Sequence, residues 1–144
     1  PMKNAPFGRV TALFLLLVLL LSACTANDSY PAVNSEWELT SLTAAGQPID
    51  LTVLSTPVTL KVEKDEQISG FSGCNTYGGT MSFAEDGTLT SSNIFQTEMA
   101  CETGMDVEAS YFGTLAKVSQ YQYKADTILL SSADGQNILA FSAK

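Results

Sequence analysis

Histidine is absent from the chain. That excludes histidine-based triads, the usual zinc sites and a histidine pH switch. Arginine occurs once, at Arg9, so beyond the N-terminal region there is no guanidinium to clamp a phosphate or carboxylate through two bonds. From Cys24 onward the only cations are Lys61, Lys64, Lys117, Lys124 and Lys144. They face all fifteen Asp and Glu residues, a net charge of −10. Such a balance argues against nucleic acid, whose affinity comes largely from phosphate neutralisation. It also argues against electrostatic docking on anionic lipid. On the plainest reading the charge serves solubility. There is no internal repeat, no low-complexity tract and no cofactor motif.

Long apolar runs are scarce too. Val10–Leu21 is the one example, uncharged and leucine-rich, about twelve residues long. A spanning helix needs about 20. With Lys3 and Arg9 before it, the run has the form of a secretory h-region. It ends in Leu21-Ser22-Ala23-Cys24, which resembles the bacterial lipobox. Cleavage before Cys24 requires small residues at the cut, and thioether attachment of diacylglycerol requires the thiol. Several acyl chains, at about 0.8 kcal/mol per buried methylene, anchor a domain stably. The expectation is a signal peptide over residues 1–23, translated from Met2, with lipidation at Cys24. Thr25 after the cysteine resembles sorting to the outer membrane, facing the periplasm. The competing reading is an ordinary cleaved signal with an incidental cysteine.

If lipid consumes Cys24, Cys74 and Cys101 remain as a pair in an exported chain. The default in an oxidising compartment is a disulfide, contributing roughly 3 kcal/mol. Two reduced thiols, one of them reactive, are the alternative.

Residues 24–34 are small and polar and read as a tether, leaving one domain over 35–144. Period-two alternation dominates it. Trp37, Leu39 and Ser41 share a face. Strands are expected at 58–63, 67–71, 80–84, 88–94, 120–124, 127–131 and 138–142, with turns at Asp65-Glu66, Glu85-Asp86-Gly87 and Asp134-Gly135. One helix, 105–119, carries Tyr111, Phe112, Leu115 and Val118 on one face with Ala109 beside it, and Asp106 and Glu108 in its first turn. Trp37, Phe71, Phe83, Phe95 and Phe112 read as core. The fold class is therefore mostly β: an antiparallel curved sheet or small barrel of about seven or eight strands with one packing helix.

The most unusual stretch runs from Gly70 through Phe71, Ser72, Gly73, Cys74, Asn75, Thr76, Tyr77 and Gly78 to Gly79. Its glycines permit tight geometry, and Asn75 suits a turn. Thr97-x-Met99-Ala100-Cys101 follows downstream. With Trp37-x-Leu39, Glu108, Phe112 and the closing Leu129 and Leu139-x-Phe141 strands, these blocks resemble the META/HslJ family over about residues 35–142. Thr76, where the family often has an aromatic or branched residue, departs mildly from its pattern. The resemblance implies a compact β-rich domain of the bacterial envelope, in a family with members linked to heat shock and novobiocin tolerance. It carries over no catalytic residue. The family-motif positions here are Trp37, Gly70, Gly73, Asn75, Tyr77, Gly79, Thr97 and Met99.

Weighed against enzymes, the residues offer little. The glycine block lacks the lysine and Ser/Thr of a P-loop, and no helix follows it. Glu85-Asp86 and Asp65-Glu66 sit in expected turns, where solvated acids are ordinary. Asp86 and Asp134 lack the ligand density of a calcium loop. No catalytic residue, metal or cofactor is expected. The leading expectation is a membrane-anchored, non-catalytic binding or stress-protection module. Its partner would be an envelope protein or an apolar small molecule. An envelope hydrolase and a pilot-like structural factor for outer-membrane or secretion assembly are the rivals.

Overall fold

The computed structural model describes residues 34–144. The expected signal, Cys24 and the tether up to residue 33 lie outside the described residues. Among the described residues nine strands, all paired antiparallel, and one α-helix follow in chain order: β1 Ser35–Ala44, β2 Gln47–Pro48, β3 Thr59–Val62, β4 Gln67–Phe71, β5 Thr76–Phe83, β6 Leu89–Gln96, α1 Met105–Leu115, β7 Gln120–Lys124, β8 Thr127–Ser131 and β9 Ile138–Ala143. Eight of the strands form one sheet in the order β6-β5-β4-β3-β1-β9-β8-β7, and the two-residue β2 pairs only with β1.

The sheet curls until its two ends touch at one corner. There Thr88 bridges Gln120, Leu89 N–H donates to Ser119 O, and Tyr121 N–H donates to Gly87 O, both at 2.9 Å. Beyond that corner the ends part, so the domain is a half-barrel. Its concave face is filled by Trp37, Leu42, Leu60, Met81, Ile128, Leu130, Leu139 and Phe141, all buried. Helix α1 packs on β1 and β9 and adds Val107, Tyr111 and Leu115 to the same core. Among the described residues no helix is long and apolar enough to cross a membrane.

Several expectations are corrected. Ser41 does not share the face of Trp37 and Leu39. The pairing of β1 with β9 shifts register between Leu39 and Ser41, which turns Ser41 to solvent and puts Leu42 inside. One extra residue at Thr40 re-aims every side chain after it. β5 starts at Thr76, not residue 80, and so absorbs Gly78 and Gly79 into a strand. The helix ends at Leu115, four residues early, and its buried face holds Glu108 where Ala109 was expected. Phe83 is core and Phe71 and Phe112 are half-buried, but Phe95 is 68% exposed.

Candidate functional site

The glycine-rich block makes the hairpin of β4 and β5 and the loop between them. Gly70 stands opposite Tyr77 in that pairing, and a Cβ there would lie 2.1 Å from Thr59 O. Only glycine lets β3 and β4 approach this closely. Asn75 and Cys74 then sit in the loop, buried. Gly104, at φ +90°, heads the helix and lies against Gly73 O, so the helix N-terminus docks on the same loop. A left-handed residue without Cβ is what that contact needs.

This docking carries the Glu108 carboxylate into the loop. Asn75 N–H donates to Oε2 and Asn75 Nδ2 donates to Oε1, each at 2.8 Å. The Ser72 hydroxyl also donates to Oε2. Burial pushes the Glu108 carboxyl up. The bonds from Ser72 and Asn75 outweigh it and hold the group below the ordinary carboxylate value. A carboxylate with this many donors stays ionised. On its other side Asn75 Oδ1 accepts from Thr97 Oγ1 at 2.8 Å and Met99 N–H at 2.7 Å. One side chain therefore ties the loop, the helix and the segment after β6 together. The Cys74–Cys101 disulfide joins the loop and the segment after β6 covalently.

Tyr77 and Tyr111 pack beside this staple with their rings tilted 60° to each other and Phe112 edge-on to Tyr77. The Tyr111 hydroxyl donates to that of Tyr77 at 2.6 Å, and Tyr77 donates to Thr59 O at 2.9 Å. Burial raises both phenols far above their usual range.

The staple fixes the end of β6 beside α1 and leaves a cleft between them. It measures about 460 Å³ and is lined by Ile94, Phe95, Gln96, Glu98, Phe112, Leu115 and Ala116. Ile94 and Phe95 lie across Gly79 and Gly78 of β5, where a Cβ would meet them at 2.5 and 2.7 Å. The bulge at Asn93, φ +53°, falls between the Ser92–Thr80 and Phe95–Gly78 pairs and lays Ile94 over Gly79. Met99 and Met105 add exposed apolar surface.

Of the expected positions, Gly70, Gly73, Cys74, Asn75, Tyr77, Thr97, Met99 and Cys101 gather at the staple. Gly79 seats Ile94, and Trp37 is core, its indole N–H bonded to Ser35 at 2.7 Å. Sequence reasoning missed the cleft itself. Its signal was Ile94-Phe95: two large apolar residues in succession on a Ser- and Thr-rich strand must face opposite sides, so one faces solvent.

A model of the META domain matches residues 31–144. An NMR structure of a protein from Burkholderia xenovorans is similar at 23% identity and a TM-score of 0.65, covering all of this chain and 94% of that one. The crystal structure of a DUF4847 family protein from Bacteroides vulgatus is similar at 16% identity and a TM-score of 0.54, over 76% of this chain and 92% of its own. Both likenesses show a shared fold. Among curated proteins none matches. The chain belongs to the META-domain family.

Proposed function

We propose that this META-domain protein is a non-catalytic lipoprotein of the bacterial envelope that binds a protein partner through the cleft between β6 and α1. The export signal and lipobox would hold it by Cys24 at the outer membrane, facing the periplasm. A role in stress or antibiotic tolerance would be exercised through that partner.

The observation that carries this reading is the apolar cleft at an open sheet edge. The core behind it is filled, and Phe95 stands two-thirds exposed at the rim. A pocket for a small molecule encloses its ligand, whereas exposed apolar surface beside an unpaired strand suits a polypeptide. The lining holds no nucleophile beside a base. Glu108, the buried acid among the described residues, has its oxygens committed to Ser72 and Asn75.

The test is photo-crosslinking in cells from p-benzoylphenylalanine placed at Phe95, with Asp126 in the β7–β8 turn as the control position. A defined protein adduct from Phe95 and none from Asp126 is expected. No adduct from Phe95, or the same adducts from both, overturns the reading. Cys24→Ala tests the anchor: the variant should leave the membrane fraction.

A further inference from the structure

Resting on that reading, we infer that the partner presents an extended segment of alternating apolar and basic residues, which adds to the sheet along β6.

Three features converge on that segment. The first is the backbone edge. β6 pairs with β5 on one side, and after Leu89 no described strand lies on its other side. Edges of this kind are ordinarily guarded by charge, proline or a bulge. Thr90–Gln96 has no charge and no proline. The bulge at Asn93 interrupts the edge, so an incoming strand pairs over a short run and continues over the cleft.

The second feature is the apolar floor. Ile94, Phe95, Phe112 and Leu115 offer seats for alternate side chains of an extended chain, the usual division of labour when a strand is added to a sheet. Main-chain bonds supply affinity there, and side-chain seats supply selection.

The third is charge. Between Lys64 and Lys117 there is no Lys or Arg, while eight Asp and Glu residues occur. This stretch includes β4, β5, β6, α1 and the disulfide loop. Glu98 lines the cleft, and Glu102 and Asp106 are exposed on the loop and first helical turn that follow. Lys117, just past the cleft residue Ala116, lies near enough to Asp134 to help lower its pKa. A cation brought to the β6 edge therefore meets Glu98, with Glu102 and Asp106 beyond it, while the one lysine next to the lining, Lys117, also has Asp134 within electrostatic reach. A second copy of the chain would bring its own acidic edge against this one, and complementarity at interfaces disfavours such pairs.

The experiment uses full-length protein in detergent and three fluorescein-labelled nonapeptides. One alternates lysine with valine, one alternates glutamate with valine, and one is the lysine peptide with alternate backbone amides methylated. Fluorescence anisotropy reads binding. The lysine peptide should bind about tenfold or more tighter than the glutamate peptide at low salt, with the gap narrowing near 0.5 M salt. Methylation and Phe95→Ser should each abolish measurable binding. Glu98→Lys should weaken the lysine peptide about tenfold. Both substituted side chains are exposed, and an unchanged denaturation midpoint confirms the fold.

Equal binding of both charges, or no effect of Glu98→Lys, overturns the basic partner. Undiminished binding of the methylated peptide overturns strand addition. If no peptide binds while the Phe95 crosslink persists, this inference falls and the cleft reading stands. If the crosslink is absent too, both fall.

Discussion

Replacing Glu108 by glutamine keeps the shape of the side chain and removes its charge, which makes it a sharp test of the staple. In the native protein two donors, Ser72 Oγ and Asn75 N–H, share Oε2, and Asn75 Nδ2 bonds Oε1. A glutamine can place its carbonyl toward the first two. Its amide then faces Asn75 Nδ2, donor against donor. Asn75 cannot turn over to relieve this, because its Oδ1 already accepts from Thr97 and Met99. One buried bond to a charged group is lost and its donors are left unsatisfied, costing about 2–3 kcal/mol. Glu108→Ala orphans Asn75 N–H and one hydrogen of Asn75 Nδ2, while Ser72 Oγ can still donate to Asn75 O and Nδ2 keeps Met99 O; it should cost about 3–5 kcal/mol. Urea denaturation followed by Trp37, the single and buried tryptophan, gives both numbers. The pH dependence adds an independent readout. Because the folded carboxyl sits below its ordinary value of 4.5, its contribution is fully present above that pH. It is lost as pH falls from about 4.5 through the folded value. Native protein should lose stability over that window, and Glu108→Gln should lack this component. A glutamine variant within 0.5 kcal/mol of native at pH 7, with an unchanged acid profile, would refute the staple.

Other outcomes follow from the same structure. Reducing the Cys74–Cys101 bond, which spans 27 residues, should lower stability by about 3–4 kcal/mol, read as a lower urea midpoint with dithiothreitol. Gly70→Ala puts a methyl into the Thr59 carbonyl and the Tyr77 ring. It should cost more than about 3 kcal/mol, seen as loss of soluble folded protein or a sharp drop in Tm. Gly113→Ala acts the other way. That helical position is exposed with open space around it, so the substitution should stabilise by about 0.5–1 kcal/mol, measured by the same denaturation. Tyr111→Phe removes one buried hydroxyl bond while Tyr77 keeps Thr59 O, and should cost about 1 kcal/mol.

How much of this was legible beforehand depended on which signal each residue carried. Alternation located most of the strands, and β4, β7 and β8 have the expected bounds, because a half-buried strand must alternate. The same rule misassigned Ser41, since a bulge changes phase without leaving a composition mark. Asn75 and the two cysteines were visible as a turn and a pair. Their convergence on Glu108 was not, because it is made by the helix docking through Gly104, a long-range contact with no local pattern. Phe95 was misread for a different reason. Aromatics are usually buried, and the expectation has no term for a strand at the edge of a sheet whose partner glycines carry the ring on its surface.

A two-hydroxyl or apolar joint would hold α1 against the sheet about as well, since burying a charge is costly and replacing a buried ionic group by apolar ones is often neutral or stabilising. What an apolar joint lacks is direction. Asn75 fixes Thr97 and Met99 by main-chain and side-chain bonds at once, and Cys101 is tied two residues further on. The chain leaving β6 is thereby held in one path while the strand itself stays unpaired outward. An edge strand carrying Ile94 and Phe95 is prone to slip or to pair with its own kind. Anchoring it through a polar, geometry-specific network, with a bulge in the middle, keeps that edge open and in register. The polar core of the motif and the apolar cleft are thus two sides of one device: the first spends stability on orientation, and the second is the surface so oriented.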